Sequence, residues 1–166
     1  MASRKTKPKI ICDTREKIPW DFSEDEDFDG CIVRKLDFGD YSLVGMEKVA
    51  VVERKRNGGE LLTNFISKTS KDRIYREMEK LSECRWPFLI VEESLKSLSD
   101  PNNYYAVRKR RVRNPRSVPA IVIGHLNRIV IEFGIHVIFA EDRGQKIAKD
   151  LLLKAYKIHH ADRTSP

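Results

Sequence analysis

A chain of 166 residues, 40% of them hydrophobic, is long enough for one domain with a sizeable core and too short for two ordinary ones. Its 32 lysines and arginines outnumber 25 acidic residues, and the resulting net charge of +7 and isoelectric point near 9.4 favour a polyanionic partner. No apolar run approaches the roughly 18 to 20 residues of a membrane span, and "MASRKTKPK" lacks the apolar stretch of a signal peptide, so a soluble cytoplasmic protein with no membrane partner is expected.

"KIICD" reads as a short strand ending in Asp13, followed by a charged, proline-containing loop, "TREKIPWDF". Cys12, in that strand, Cys31 and Cys84 are widely spaced with no CxxC pair for zinc or redox work, which suits a reducing compartment. The acidic run "SEDEDFD" cannot bury itself and reads as a solvated loop at the domain edge. "CIVRKL", "DYSLVG" and "VAVVERK" are β-rich pieces separated by turns at "DFG" and "GMEK", which suggests a meander.

From Gly58 the period changes. Leu61, Leu62, Phe65 and Ile66 recur at helical spacing, and Ile74, Met78 and Leu81 do so again, predicting two amphipathic helices. "WPFLIVEE" has the continuous apolar run of a central strand covered on both faces. Residues 100 to 116 read as a long exposed loop, with Tyr104 and Tyr105 available to stack on an unpaired base. Six cations stand between Arg108 and Arg116: Arg108, Lys109, Arg110, Arg111, Arg113 and Arg116. Such a run either holds phosphates or is a flexible solvated connector, and composition leaves both open. Ser117 can cap a helix with Pro119 in its first turn, and Gly134 stops it. "IHVIFA" reads as another buried strand, and "GQKIAKDLLLKAYKI" as a closing helix with Ile147, Leu151, Leu152 and Ala155 near one face. Strands followed by alternating strands and helices predict an α/β fold, a central mixed β-sheet flanked by helices. His125 and His136 fall within a predicted helix and strand and read as structural, and His159 and His160 are spaced for no metal site.

The candidate chemistry lies in "GDYSLVGMEKVAVVERK". A hairpin turning at "GMEK" returns the chain so that Asp40, at the start of one strand, and Glu53, near the end of the next, reach the same sheet edge. Two hard oxygen ligands beside a phosphate-sized opening suit magnesium, which keeps several waters and takes few carboxylates. Lys55 projects on the same face as Glu53 by the period of two, where it can act on a water or on charge developing at phosphorus. On spacing alone the pattern also fits charged strand ends that are merely solvated.

The same stretch resembles the GD-x(n)-ERK signature of the XPF-type nucleases, a branch of the PD-(D/E)XK superfamily. "IICDTREKIPWDF" resembles that family's D-x-R-E first strand, "DRIYREMEKL" its helix with an arginine, and "FLIVEES" its apolar strand ending in glutamate. The likeness holds in order and spacing over about residues 8 to 156. It implies a restriction-endonuclease-like core of about 8–158 within a single nuclease domain, in the stand-alone form seen in bacterial and phage-like proteins and nucleoid-associated there, with no helix-hairpin-helix module. It further implies a divalent-metal-dependent DNA endonuclease acting at branched or single-strand junction DNA in repair, recombination or replication. The cofactor would be Mg2+, with Mn2+ able to substitute, and the chain could pair as a homodimer.

Carried over by residue, Asp13, Glu16, Asp40 and Glu53 would surround the metal, with the Arg54 carbonyl as a further ligand and Lys55 as the catalytic lysine. Arg15 would pair with these acids or with substrate phosphate; on its own, Arg15 beside Glu16 reads equally as a surface ion pair. Lys71 and Arg73, on the second helix, add to the basic surface where DNA would dock. The family's ERK-x-x-x-D is broken here, since Gly59 stands in the acid's place and Glu60 follows it. Either Glu60 substitutes at the helix start, where the dipole favours a carboxylate, or that acid's role is lost. A junction resolvase, a less selective nuclease or a non-catalytic DNA-binding module are the alternatives.

Overall fold

The computed structural model describes residues 7–109, 111 and 113–162. Among these, strands β1 (Ile10–Cys12), β2 (Cys31–Val33), β3 (Tyr41–Leu43) and β4 (Ala50–Lys55) precede helices α1 (Gly58–Ile66) and α2 (Lys68–Ser82). Strand β5 (Trp86–Val91), short helices α3 (Leu95–Leu98) and α4 (Tyr105–Arg108), helix α5 (Val118–Phe133), strand β6 (His136–Phe139) and helix α6 (Gly144–Asp162) follow. The strands form one mixed sheet in the order β2-β1-β3-β4-β5-β6. The β3–β4 hairpin is antiparallel as expected, with Tyr41 opposite Val52. The expected meander stops there, because β2 pairs parallel to β1 at the sheet edge.

Side-chain alternation along β4 and β5 divides two cores. Val51, Leu89 and Val91 face α1, α2 and α5, while Ala50, Val52, Phe88 and Ile90 face α6 and the aromatic side chains Trp20, Phe22 and Phe28. The acidic run is accordingly not a free loop. Phe28 is buried, and Lys149 on α6 holds both Asp25 and Asp27 at 2.7 Å.

Four local expectations are corrected. Ile66 is exposed because it closes α1 just before extended Ser67, whose side chain caps α2. The stretch from 100 to 116 is not one loop. It holds α4 and two 3-10 turns, Pro101–Asn103 and Pro115–Ser117, and Tyr104 is buried with its hydroxyl donating to Leu98 O at 2.8 Å. Ser117 does not cap α5, since its hydroxyl donates to Asn114 O instead. Strand β6 lies at the sheet edge with both ends of the strand exposed, although Ile135 just before it is buried. Gly134 ends α5 in the left-handed conformation, as the sequence suggests.

Candidate active site

The GD turn sets the geometry. Gly39 has φ +74°, and a Cβ there would stand 2.2 Å from Val51 Cγ1, so only glycine lets β3 start so close to β4. Asp40 N then donates to Val52 O and Asp13 N to Asp40 O, both at 2.8 Å, tying β1, β3 and β4 together where the acids emerge. One Asp40 carboxylate oxygen accepts Arg54 N at 2.7 Å. Burial, and then the charge of Glu53, hold the Asp40 carboxyl well above the usual aspartate range, with Glu16 adding to the effect.

Glu53 and Lys55 share the face toward α1, both only 8% exposed, with Lys55 Nζ 2.6 Å from Glu53 Oε1. Burial works against the Lys55 ammonium. The charge and hydrogen bond of Glu53, with Glu60 and Asp40 behind, nonetheless raise its pKa above the ordinary lysine value. Glu60 stands at the start of α1, where Asn57 caps its N–H at 2.9 Å, and its carboxylate lies 3.9 Å from Lys55 Nζ. The acid displaced by one position thus still reaches the lysine.

Arg54 points the other way. Its guanidinium lies 4.6 Å over the Trp20 ring and bonds Glu92 at 2.6 and 2.8 Å and Ile18 O at 2.5 Å. Glu92 also accepts the Trp20 indole N–H at 2.8 Å. Glu16 belongs to this side, 3.9 Å from Arg54 and accepting its own Ile18 N–H. Asp13, fully buried, accepts Arg15 N, Arg15 Nε and Leu36 N. Burial would raise its carboxyl, but these hydrogen bonds hold it below the usual range.

The structure therefore brings Asp40, Glu53 and Arg15 into one cleft, with Lys55 bonded to Glu53, while Asp13 and Glu16 hydrogen bond to other partners. Among the described residues no three His, Cys, Asp or Glu side chains gather closely enough to hold a metal by themselves. The chemistry of Asp40 and Glu53 fits a divalent cation even so: a half-buried and a buried carboxylate whose mutual repulsion a cation would relieve, and magnesium needs only one or two carboxylates beside phosphate and water. Burial pushes the Cys12 and Cys84 thiols up to about 11, which favours their protonated form.

The cleft, about 390 Å3, runs from these acids to α2, whose Arg73, Arg76, Glu77 and Lys80 line its far wall. Arg76 and Lys80 were not among the residues the motifs single out, although their spacing from Arg73 on an amphipathic helix puts them on one side. Lys71 lies instead near His125, which stacks on Phe65 at 4.4 Å and hydrogen bonds Tyr75. In the basic segment, Arg108 ends α4, Arg116 sits in the second 3-10 turn, and Lys109 and Arg111 lie 5.7 and 5.8 Å from the Tyr105 ring. Arg113 occupies a bend, and Arg110 lies outside the described residues. Tyr105 is exposed and Tyr104 is not, so only one of the two tyrosines is open to a base.

A helix-flanked mixed sheet with an acidic pair and a lysine at a β-hairpin edge defines a restriction-endonuclease-like nuclease fold of the XPF type. The ERCC4 domain family matches residues 12–147, and the chain belongs to that family. Among solved structures, XPF from Aeropyrum pernix is similar at 20% identity and a TM-score of 0.58, over 89% of this chain and 61% of that one. XPF from Aeropyrum pernix in complex with DNA gives 19% identity and a TM-score of 0.62, over 90% and 66%. The chain thus spans less than two thirds of either XPF chain. No curated relative matches it by sequence. No described helix is long and apolar enough to cross a membrane.

Proposed function

We propose that this chain is a divalent-metal-dependent DNA endonuclease that hydrolyses phosphodiester bonds near branches or single-strand junctions. The observation that carries this reading is the Asp40–Glu53 carboxylate pair with the Lys55 ammonium 2.6 Å from Glu53, at a cleft edged by cations. Membership of the ERCC4 domain family and the DNA held by the similar XPF support DNA as the substrate.

Asp40 and Glu53 would hold the cation, Mg2+ or Mn2+, which when bound supplies positive charge at the phosphate and acidifies water. Lys55, kept protonated, donates a hydrogen bond to the phosphate oxygen that gains charge during in-line attack. Glu60 holds the lysine from the helix side. Arg15 faces the same acids and orients a phosphate beside them. Asp13 fixes Arg15, and Arg54 fixes the loop that carries Arg15 and Glu16. Arg73 and the basic segment from Arg108 to Arg116 supply contacts to the DNA backbone, and a second copy of the chain is a candidate partner.

The test is cleavage of labelled flap, fork, nicked, single-stranded and plain duplex DNA with magnesium, manganese or EDTA. Cutting of the branched substrates that disappears in EDTA and in Asp40→Asn is expected. Binding without cutting under every metal condition would leave a DNA-binding module.

A further inference from the structure

The cleft beside the acids contains a ring. Phe38 precedes the GD turn, is partly buried against the core under α1 and α2, and lines the cleft together with α2. The backbone that presents it is fixed, since Gly39 has φ +74° and no room for a Cβ against Val51. On α2, Arg73 is engaged by Glu77 at 3.9 Å. Arg76 and Lys80 line the same wall, are exposed, and make no ion pair among the described residues.

An aromatic face with unpaired cations in the same cleft matches a nucleotide, whose base offers a π-face and whose backbone offers an anion. Bases inside a duplex have both faces covered by their neighbours in the stack. Only an unpaired nucleotide can lay its base on Phe38 while its phosphate reaches α2. Among the described residues Phe38 is the one aromatic ring lining the cleft, which limits the bases stacked there to one.

We propose that Phe38 is a stacking platform for one unpaired nucleotide next to the phosphate to be cut, and that Arg76 and Lys80 hold that nucleotide's backbone. This rests on the DNA nuclease reading and deepens it, because it assigns the preference for unpaired DNA to a side chain outside the acidic pair.

The experiment uses oligonucleotides with 2-aminopurine placed in turn along the single-stranded arm of a fork, bound by the full chain in EDTA so that nothing is cut. One position is expected to lose fluorescence on binding as its base stacks. Phe38→Leu should abolish that quench and weaken binding about fivefold or more, the loss of one stacked base, while Phe38→Tyr keeps both. Arg76→Gln with Lys80→Gln should weaken binding yet leave the quench at saturation intact. Melting curves of each variant show that the fold is retained. Equal quenching and equal affinity for Phe38→Leu and the parent would overturn the platform, as would parental binding that prefers duplex to fork. A normal quench in a chain that never cuts DNA with any metal would sink the nuclease reading and leave the platform standing; cutting with no Phe38-dependent quench would do the reverse.

Discussion

Lys55 Nζ lies 2.6 Å from Glu53 Oε1, two residues back along one strand, and both side chains are nearly withdrawn from water. The charge and hydrogen bond of this partner raise the lysine's pKa, which favours the ammonium over the neutral amine that a general base requires. On the proposed nuclease reading, its contribution to the rate is electrostatic. Lys55→Gln should lower turnover by about 10² to 10³-fold, by the same factor at every pH from about 6 to 9, an interval below the ordinary lysine value of 10.5. A loss that grows steadily with pH, in single-turnover cleavage, would make the lysine a general base instead.

The neighbouring Asp40 behaves in the opposite sense to most carboxylates. Its folded pKa is raised, so the native state binds its proton more tightly than the unfolded chain does. The stability contributed by Asp40 is then fully present below an ordinary aspartate's pKa of 3.8 and is lost as the pH rises through the elevated folded value. Asp40→Asn removes the buried charge. In EDTA at pH 8 the variant should melt at least about 2–4 °C above the parent, the equivalent of about 1 kcal/mol for a chain of this size, and the gap should close near pH 4. Magnesium should stabilise the parent and not the variant. A variant that melts lower than the parent at pH 8 contradicts this account.

Much of the site was legible because it depends on local rules. The turn residues of "GMEK" and the period of two brought Asp40 and Glu53 to one edge and Lys55 to the face of Glu53. That same period puts the Arg54 side chain on the opposite face, which leaves only its carbonyl, the group the resemblance names, on the strand that carries Glu53 and Lys55. Other features depend on contacts between distant segments. Tyr104, set among asparagines and arginines, is buried because Gly58 leaves space for its ring, and a Cβ there would stand 2.9 Å from Tyr104 Cε1. Nothing beside Tyr104 in the sequence signals this. Arg15 pairs with Asp13, one of the acids its motif offers it, but the Leu36 N–H that takes the other Asp13 oxygen is delivered by a loop whose course no periodicity encodes. Strand β2 joins β1 in parallel through a connection that a run of β-rich segments cannot distinguish from a meander.

The basic segment between Arg108 and Arg116 has no acidic residue of its own. Arg111→Ala, Arg113→Ala and Arg116→Ala together should weaken binding and flatten the dependence of log K on log salt by up to about 0.9 per lost duplex phosphate contact. Cleavage at saturating DNA should continue at the parental rate, because these side chains hold backbone and perform no chemistry. Unchanged affinity and salt slope, measured by fluorescence anisotropy, would return the segment to a solvated connector.

Arg54 is the strongest test of how the ERK strand divides its work. With 8% of its surface exposed, it joins β4 to the 14–22 loop through Ile18 O and Trp20, and to the end of β5 through Glu92. Breaking a buried pair leaves the surviving charge without compensation and typically costs about 3–5 kcal/mol. Lysine cannot replace the planar fork that binds Glu92 while lying on an indole. Arg54→Lys and Glu92→Gln should each lower the melting temperature by several degrees, and the double variant should lose less than the sum of the two, since both remove one interaction. Any fall in turnover should track the loosened loop, with DNA affinity at low temperature little changed. If Arg54→Lys instead melted like the parent but bound DNA weakly, its guanidinium would have to leave Trp20 and Glu92 for a substrate phosphate, and the strand would present all three of its charged side chains to the DNA.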